Sequence, residues 1–533
     1  MTERIFKNMS PALLCAVCII AAAYLGVLAV GLSVREPMIG DEVIHYYMLV
    51  HQAEQFPAPT VEAHIPLGTG ETIKRYYPHV FLWHYIGSLF WKFSGGKFWA
   101  VQFYQSLFWL QYLIAGLLLA RQADPEREWG MPVYTAVLAS LPISLIFSVA
   151  FYQDVAAAAQ IMTAFYLLRK GRWALASLFL GLALALKVTV FIMIPAFFAC
   201  VLVFGWRRES VLKLFWKVSL ALLIIAAMCW PMAKGLHYCG FAYYPTTMIQ
   251  LYAGKLGLID HLTVVRSVKP GDTEEHRVNL PVAGAKGVEE VVNHPGDLRM
   301  KKNWLIYFGG LLWLVGAGGL IAAAARRKDE EWRAAFRSGS WSLAAGVWYI
   351  LFTALHMRNS PDARFFLPGA VFVILPLAIW FSRWPMRKLW LPLLLGIALL
   401  QTGAVLAKTY ALRRISPELQ QAIDFLKENP PLPNGVFMYP EGNHRLFTVR
   451  HDWYLGFRLK DFWKADNDGR MDMLRERDLG AIVIKKYLIG HLDDKMTNLG
   501  IYPDYFVRDI ARDDRFSKVF ENSDFTVYTV PAE

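Results

Sequence analysis

Eleven long runs of uncharged, mostly apolar residues punctuate the first 407 residues of the chain. An α-helix crosses the hydrocarbon core of a bilayer with about 17–25 such residues, so runs of this kind are typical of transmembrane helices. Three of the runs, 155–168, 173–186 and 340–357, are short or interrupted. We expect one membrane-spanning helix from each run. The runs are 10–33, 98–120, 132–150, 155–168, 173–186, 188–206, 218–233, 303–325, 340–357, 365–382 and 389–407.

The composition agrees with this pattern. Hydrophobic residues make up 56% of the 533 residues and charged residues 18%, whereas ordinary soluble proteins have roughly 45–50% and about 25%. A soluble chain could not bury that much apolar surface, which excludes a secreted domain, a disordered scaffold and a cytosolic enzyme. The net charge of +12 is carried largely by loops between the predicted spans. It therefore does not indicate a nucleic-acid partner.

The short basic loops all fall on one side of the predicted membrane. Basic residues are enriched in cytoplasmic loops, so this side is the cytoplasm. We therefore expect a cytoplasmic N-terminus, two large outer loops at 34–97 and 234–302, and a tail from residue 408 that lies outside. The basic residues assigned to the inner face are Arg121, Arg127, Arg169, Lys170, Arg172, Arg207, Arg208, Lys213, Lys217, Arg326, Arg327, Lys328, Arg333, Arg337, Arg383, Arg387 and Lys388.

The tail, residues 408–533, has the composition of a soluble protein, with many charges of both signs. The segment SPELQQAIDFLKEN predicts a helix with Ser416 as its N-cap. The segments GVFMYP, AIVIKK and FTVYTV predict short strands. The predicted fold is thus a polytopic α-helical membrane protein of about eleven transmembrane helices over residues 1–407, followed by a small soluble α/β domain over 408–533.

Two charged residues interrupt stretches that are otherwise uncharged over two predicted spans. Asp154, in FYQDV, is the only charged residue within 132–168, and Lys187, in LALKVT, is the only one within 173–206. Ionisable residues at membrane depth are energetically expensive, although either side chain alone could reach interfacial water. Both lie where the chain turns at the outer face. An acid and a base on the same side of the membrane indicate a polar site at the outer interface.

The most concentrated group of polar residues directly follows the first span, in PMIGDEVIHYYMLVHQAEQFP at 37–57. Asp41 and Glu42 are adjacent, and His45 follows one turn later on a helix predicted to begin here. The helix is amphipathic and is expected to lie in the plane of the interface. A solvated helix start would also favour acidic residues. The position of the acid pair at the membrane surface favours a functional site.

Basic residues recur in two outer segments. In TIKRYYPHVFLWHYIG, at 72–87, Lys74 and Arg75 precede His79 and a second aromatic stretch. Such a basic pair can hold a lipid phosphate, or can anchor the segment to lipid headgroups. In HMRNSPDARFFLPG, Arg364 stands at the outer start of the tenth span. Its planar guanidinium is suited to binding a phosphate through two hydrogen bonds.

These segments, in this order, resemble the glycosyltransferase-C superfamily of membrane enzymes that use sugars linked to polyprenyl phosphate. The resemblance rests on GDE at 40–42 in the first outer loop, QD at 153–154 in the loop between spans three and four, and RFFLP at 364–368. The tail outside the membrane is similar to that of bacterial members related to protein O-mannosyltransferases and to the lipid A aminoarabinose transferase. The resemblance implies transfer of a hexose or pentose to an acceptor hydroxyl on a glycan, lipid or protein.

The resemblance also implies roles for individual residues. A carboxylate would accept the proton of the acceptor hydroxyl, and basic groups would stabilise the leaving phosphate. We expect Asp41 to be the base, and Glu42 and Asp154 to orient the acceptor or to bind a divalent cation. The expected substrate-binding residues are His45, Lys74, Arg75, His79, Lys187 and Arg364.

Two other functions use similar membrane topologies. A lipid or glycan transporter or flippase would place polar residues near the middle of the membrane, whereas the charges here cluster at one face. An O-antigen ligase or polymerase would have its large outer loop late in the chain and would lack the early acid pair. The sequence leaves open the sugar, the acceptor, the polyprenyl carrier and any metal dependence. The expected location is the inner (plasma) membrane.

Overall fold

The protein, described here from a computed structural model, is mostly α-helical. Each of the eleven apolar runs coincides with a helix or with two consecutive helical segments. The structure describes residues 9–34, 42–60, 62–66, 72–76, 81–125, 128–205, 210–239, 261–265, 277–281, 295–326, 328–356, 363–385, 387–413, 416–432, 435–438, 459–476, 478–490 and 502–531. The helices before the tail are α1 (Pro11–Ser33), α2 (Glu42–Gln55), α3 (Phe81–Phe93), α4 (Phe98–Ala123), α5 (Gly130–Ser140), α6 (Pro142–Val149), α7 (Asp154–Arg169), α8 (Trp173–Leu186), α9 (Ile194–Gly205), α10 (Val211–Cys239), α11 (Pro295–Ala325), α12 (Glu330–His356), α13 (Leu367–Ser382) and α14 (Arg387–Leu412), with 3₁₀ turns at Val188–Met193 and Ala363–Phe366.

Several of these helices are able to cross a bilayer. Among the described residues, five are long and apolar enough, or six if α5 and α6 form one bent span, and four apolar helices are shorter. The protein is therefore a multi-pass membrane protein. The count of eleven spans stays a prediction, because a short helix crosses a bilayer only where neighbouring helices bury its ends.

Two breaks in the helices meet at one side chain. Pro142 lacks the N–H that would continue α5, and α5 and α6 meet at 56°. α11 is interrupted at Gly309, whose φ of 71° favours glycine, and a β-carbon there would collide with Gln401 of α14. The amide of Gln401 donates to the Ser140 carbonyl over 2.8 Å and accepts from the Leu311 N–H over 3.2 Å. Gln401 thus satisfies backbone groups that have no water to bind inside a membrane.

Among the described residues, the long connections at 34–97 and 234–302 contain two helices that lie wholly within them and two small hairpins. α2 begins at Glu42, in the segment where the sequence predicts a helix, and packs against α3. The hairpins are antiparallel and consist of β1 (Glu62–Pro66) with β2 (Thr72–Tyr76), and β3 (His261–Val265) with β4 (Arg277–Pro281).

The tail contains the predicted helix and all three predicted strands. The Ser416 hydroxyl caps the helix by accepting from the Leu419 N–H over 3.1 Å. The helices of the tail are α15 (Pro417–Glu428), α16 (Leu459–Lys464), α17 (Asn467–Arg475) and α18 (Asp504–Ala511), and the strands are β5 (Gly435–Met438), β6 (Leu479–Lys485), β7 (Ile489–Gly490), β8 (Tyr502–Pro503), β9 (Ser517–Glu521) and β10 (Phe525–Thr529). A four-stranded sheet has the order β5-β6-β10-β9, in which β5 and β6 are parallel and the other pairs antiparallel.

The buried apolar side chains of the described residues form two clusters. One lies among the helices and extends from Ala12 to Leu406, and the other lies in the tail, from Ala422 to Val530. α14 continues to Leu412, past the predicted end of the last span at 407. The division of the chain into domains at residues 407 and 408 stays a prediction.

Candidate active site

A short connection, residues 150–153, joins α6 to α7 inside the protein. None of residues 151–154 is more than 4% exposed. Irregular backbone within a membrane protein needs internal hydrogen-bond partners, and Gln105 of α4 supplies two. Its Nε2 donates to the Phe147 carbonyl over 2.6 Å and to the Tyr152 carbonyl over 3.0 Å. The 150–153 connection is therefore held in one conformation by α4.

Glu42 binds the same connection from another side. It is the first residue of α2, and its side chain is fully buried. Its Oε1 accepts the Phe151 N–H over 2.7 Å and Nη2 of Arg413 over 2.8 Å, and it lies 3.5 Å from Nε2 of Gln102. The sequence assigns Glu42 a catalytic role. These contacts give it the geometry of a residue that holds the backbone in place.

Asp154 and Lys187 form a buried ion pair. Asp154 is the first residue of α7, where the helix dipole favours a carboxylate. Lys187 directly follows the last residue of α8, and its Nζ contacts Oδ1 of Asp154. The two residues are 2% and 8% exposed. Neither is therefore a side chain that extends into interfacial water, and each satisfies the charge of the other.

Arg364 brings a second cation to the connection. Its guanidinium carbon lies 4.7 Å from the centroid of the Tyr152 ring and 5.2 Å from that of Phe365. Nζ of Lys187 lies 4.2 Å from the centroid of the same Phe365 ring. Both cations therefore pack on one aromatic side chain, in contacts that are stabilised by the ring electrons.

Two histidines complete the group. Nδ1 of His45 lies 3.0 Å from Nε2 of His84, and the residues are 3% and 0% exposed. The His45 ring also meets the Tyr152 ring edge-on, with centroids 5.5 Å apart. One nitrogen must donate and the other accept, so the contact between the two rings holds a single proton.

The structure thus gathers residues that are far apart in the sequence around the 150–153 connection. Asp41 and His79 lie outside the described residues. Lys74 and Arg75 occupy adjacent positions of β2, opposite His64 and Ala63 of β1, and only their backbone is described. The predicted site residues that do come together are Glu42, His45, Asp154, Lys187 and Arg364.

Known proteins share this architecture. The family model described as ALG3 protein matches residues 44–245, which include His45, Asp154 and Lys187. Two solved structures are similar to nearly the whole chain: ArnT from Cupriavidus metallidurans in the apo state, and the same protein bound to undecaprenyl phosphate. In both cases the TM-score is 0.56 and the sequence identity 12%, over 96% of this chain and 97% of that chain. The chain has the fold of ArnT. No curated protein matches it in sequence.

The resemblance to the glycosyltransferase-C superfamily, inferred from GDE, QD and RFFLP, is thereby confirmed at the level of the fold. The sequence did not single out His84, Gln105 or Arg413. His84 stands in an aromatic stretch, Gln105 is an uncharged residue of a predicted span, and Arg413 resembles any basic residue at the end of a transmembrane helix. A buried Gln inside a span is a usable signal, because an amide there needs partners. The partners of Arg413 are set only by the tertiary structure.

Two further polar side chains lie close to the ion pair in sequence. Nε2 of Gln153 and Oγ1 of Thr189 are buried without a hydrogen-bond partner among the described residues. A buried polar group without a partner costs about 1–3 kcal/mol. Such groups are therefore suited to binding a polar ligand.

A divalent cation does not fit the described part of the site. No three His, Cys, Asp or Glu side chains among the described residues are arranged to share a metal ion. Glu42 and Asp154 are instead bound by Arg413 and Lys187. The chemistry below is therefore derived from carboxylates and basic side chains.

Proposed function

We propose that the protein is an inner-membrane glycosyltransferase that moves a sugar from a polyprenyl-phosphate donor to an acceptor hydroxyl at the extracytoplasmic face. The observation that carries this proposal is the convergence of an acid, two cations and a histidine pair around the 150–153 connection. The fold likeness to ArnT, which is known bound to undecaprenyl phosphate, supports the choice of donor. The ALG3 match over 44–245 supports a glycosyltransferase.

The reaction is a single displacement at the anomeric carbon. The acceptor oxygen forms a bond to that carbon while the carbon–oxygen bond to the phosphate breaks, and polyprenyl phosphate leaves with the electron pair. Asp41, next to Glu42 at the start of α2, takes the proton of the acceptor hydroxyl. One displacement inverts the anomeric configuration.

The basic residues act on the leaving group. Negative charge grows on the phosphate as the bond breaks, and a cation that is already in place stabilises it without reorganisation. Lys187 and Arg364, which share the Phe365 ring, are the cations for this role. Lys74, Arg75 and His79 are the further basic residues that we propose for binding the phosphate, and His45 contacts Tyr152.

Asp41→Asn tests the base. The substitution keeps the size of the side chain and removes the proton acceptor, so transfer should fall by about 10²–10⁴-fold while the protein remains folded. Glu54→Gln is the matched control, because Glu54 is an exposed carboxylate of α2, the helix that follows Asp41 in the sequence. Transfer is measured with purified protein in lipid nanodiscs, as release of polyprenyl phosphate from a labelled polyprenyl-phosphate sugar.

Mass spectrometry of envelope glycans and lipids, from cells with and without the protein, identifies the sugar and the acceptor. A flippase would move the lipid-linked sugar without breaking the sugar–phosphate bond. Intact donor after reaction with the identified acceptor would therefore contradict the proposal. Full turnover by Asp41→Asn would reject Asp41 as the base and leave the reaction itself standing.

A further inference from the structure

The Glu42–Arg413 ion pair connects the two ends of the helical part of the chain. The residues are 371 positions apart, and both side chains are 0% exposed. Arg413 directly follows α14, and its N–H donates to the carbonyls of Thr409 and Tyr410. The pair therefore joins the start of α2 to the end of the last helix before the tail.

The same oxygen of Glu42 also holds the 150–153 connection. Oε1 accepts from Arg413 and from the Phe151 N–H, and Phe151 lies three residues before Asp154. The Phe151 ring stacks on Trp83 of α3, with centroids 5.2 Å apart. Movement of Glu42 would thus be passed through the Phe151 backbone to Asp154 and the cation that it binds.

The charge of Arg413 is what makes this arrangement stable. A buried carboxylate that loses a cationic partner is strongly disfavoured and moves towards water. Such a movement lengthens and weakens the hydrogen bond that Oε1 of Glu42 accepts from the Phe151 N–H.

We propose that Glu42 and Arg413 are positioning residues of the active site. Arg413 holds the Glu42 carboxylate in place, and Glu42 fixes the Phe151 backbone and thereby the place of Asp154 and Lys187. The geometry of the site then depends on the end of α14, where the chain leaves the helices for the tail. The catalytic consequence rests on the proposed glycosyl transfer, whereas the structural consequence can be measured without it.

Amide hydrogen exchange of the segment 147–155, followed by mass spectrometry on the full-length protein in nanodiscs, measures the structural consequence. Arg413→Met should raise exchange at Phe151 by about tenfold or more, since the local opening becomes easier. Arg383→Met is the matched control. Arg383 forms another buried ion pair, with Asp124 over 3.0 Å, and the two residues directly follow the C-terminal ends of α13 and α4. The Arg383→Met variant should have a lower Tm, and its amide exchange at Phe151 should be unchanged.

The double variant Glu42→Gln/Arg413→Met provides a rescue. A neutral Gln needs no cationic partner, and its amide oxygen can still accept the Phe151 N–H, so exchange should return towards the wild-type rate. Arg413→Lys keeps the charge but lacks the planar guanidinium that reaches Glu42. It should raise exchange at Phe151 by a smaller factor than Arg413→Met, and it covers the case in which Arg413→Met does not fold. Unchanged exchange in Arg413→Met, or in Arg413→Lys if only that variant folds, would overturn the proposal. Equal loosening by Arg383→Met, or a double variant that exchanges as fast as Arg413→Met, would also overturn it.

Kinetics then separate positioning from general stability. Arg413→Lys should lower kcat more than it raises the KM for the donor, because Arg364 still binds the phosphate and only the placement of Lys187 is loosened. Arg383→Met should leave both constants unchanged below its Tm. Unchanged kcat in a folded Arg413→Lys protein would remove the catalytic part of the proposal. Absence of transfer by the wild-type protein would contradict the proposed function instead, and the exchange data would still decide the role of the pair.

Discussion

The guanidinium carbon of Arg364 lies 4.7 Å from the centroid of the Tyr152 ring, and the His45 ring approaches the same ring edge-on. The carbonyl of Tyr152 is in turn bound by Gln105. Tyr152 thus orients Arg364, which lies more than two hundred positions later in the sequence. The direction of the Arg364 fork is set by stacking on a rigid ring.

Arg364 variants should therefore weaken binding of the donor lipid. We expect Arg364→Ala to lower the affinity for polyprenyl phosphate by about tenfold, and Arg364→Lys to restore it only in part, because Lys lacks the planar fork. Binding to the purified protein in nanodiscs is the measurement. Arg387→Ala is the control, since Arg387 lies 4.2 Å from the centroid of the Trp129 ring in a similar contact. Equal losses in both Ala variants would contradict a specific role for Arg364.

Substitutions of Asp154 and Lys187 should have coupled effects on stability, but only those of Lys187 should weaken binding of the donor. Removing one partner leaves a buried charge and should destabilise the protein by about 3–5 kcal/mol, whereas Asp154→Asn/Lys187→Met should lose less than the sum of the single variants. Thermal unfolding of the four proteins measures the coupling. In the donor-binding assay, Lys187→Met should lose affinity and Asp154→Asn should not. Unchanged affinity in both, with lowered Tm, would make the pair purely structural.

Gln401→Leu should destabilise the protein although Gln401 lies outside the active site. The variant leaves the Ser140 carbonyl and the Leu311 N–H without their partner, at about 1–3 kcal/mol each. Gln111→Leu/Gln160→Leu is the control, because these two amides bind each other over 3.2 and 2.8 Å and are removed together. The Tm should fall further in Gln401→Leu. A larger fall in the double variant would contradict the role of Gln401 at the helix breaks.

The orientation of the chain in the membrane can be tested by reporter fusion. We expect a reporter that is active only outside the cytoplasm to work after Glu533, and one placed within 207–217 to be inactive, because the short basic loops belong to the cytoplasm. Each position is checked with a second reporter that works only in the cytoplasm. Cytoplasmic activity after Glu533 would reverse the orientation and place the active site on the other face.

The sequence predicts the elements well because their signals are local. Apolar runs of bilayer length predict the helices before the tail. In the tail, a Ser N-cap predicts the first helix, and short apolar segments predict the strands. The breaks are harder to place. Pro142 and Gly309 are visible in the sequence, but the amide that joins them comes from Gln401, and no local pattern pairs these positions.

The residues of the candidate site also divide into those that a local sequence pattern reveals and those that only the tertiary structure reveals. Asp154 and Lys187 stand out because each is the only charge in a long apolar stretch. Charges are energetically expensive at membrane depth, so their presence predicts a functional or structural role. That they bind each other, and that Arg364 and His45 meet on Tyr152, depends on how the helices pack. Glu42 is the clearest example: its sequence position suggests catalysis, while its partners Arg413 and Phe151 give it a structural use.

The contact between Glu42 and Arg413 also sets when the site can form during synthesis. Arg413 is added 371 residues after Glu42, which takes roughly 20–70 s at the usual rates of translation. Over this interval Glu42 lacks Arg413 and the 150–153 connection lacks part of its anchor, even though α1 to α8 are already made within the first half of the chain. A ribosome that stops ahead of residue 413 therefore releases a chain that has the helices before the tail and an unfinished site. The proposed site is complete only once α14 and Arg413 have been made.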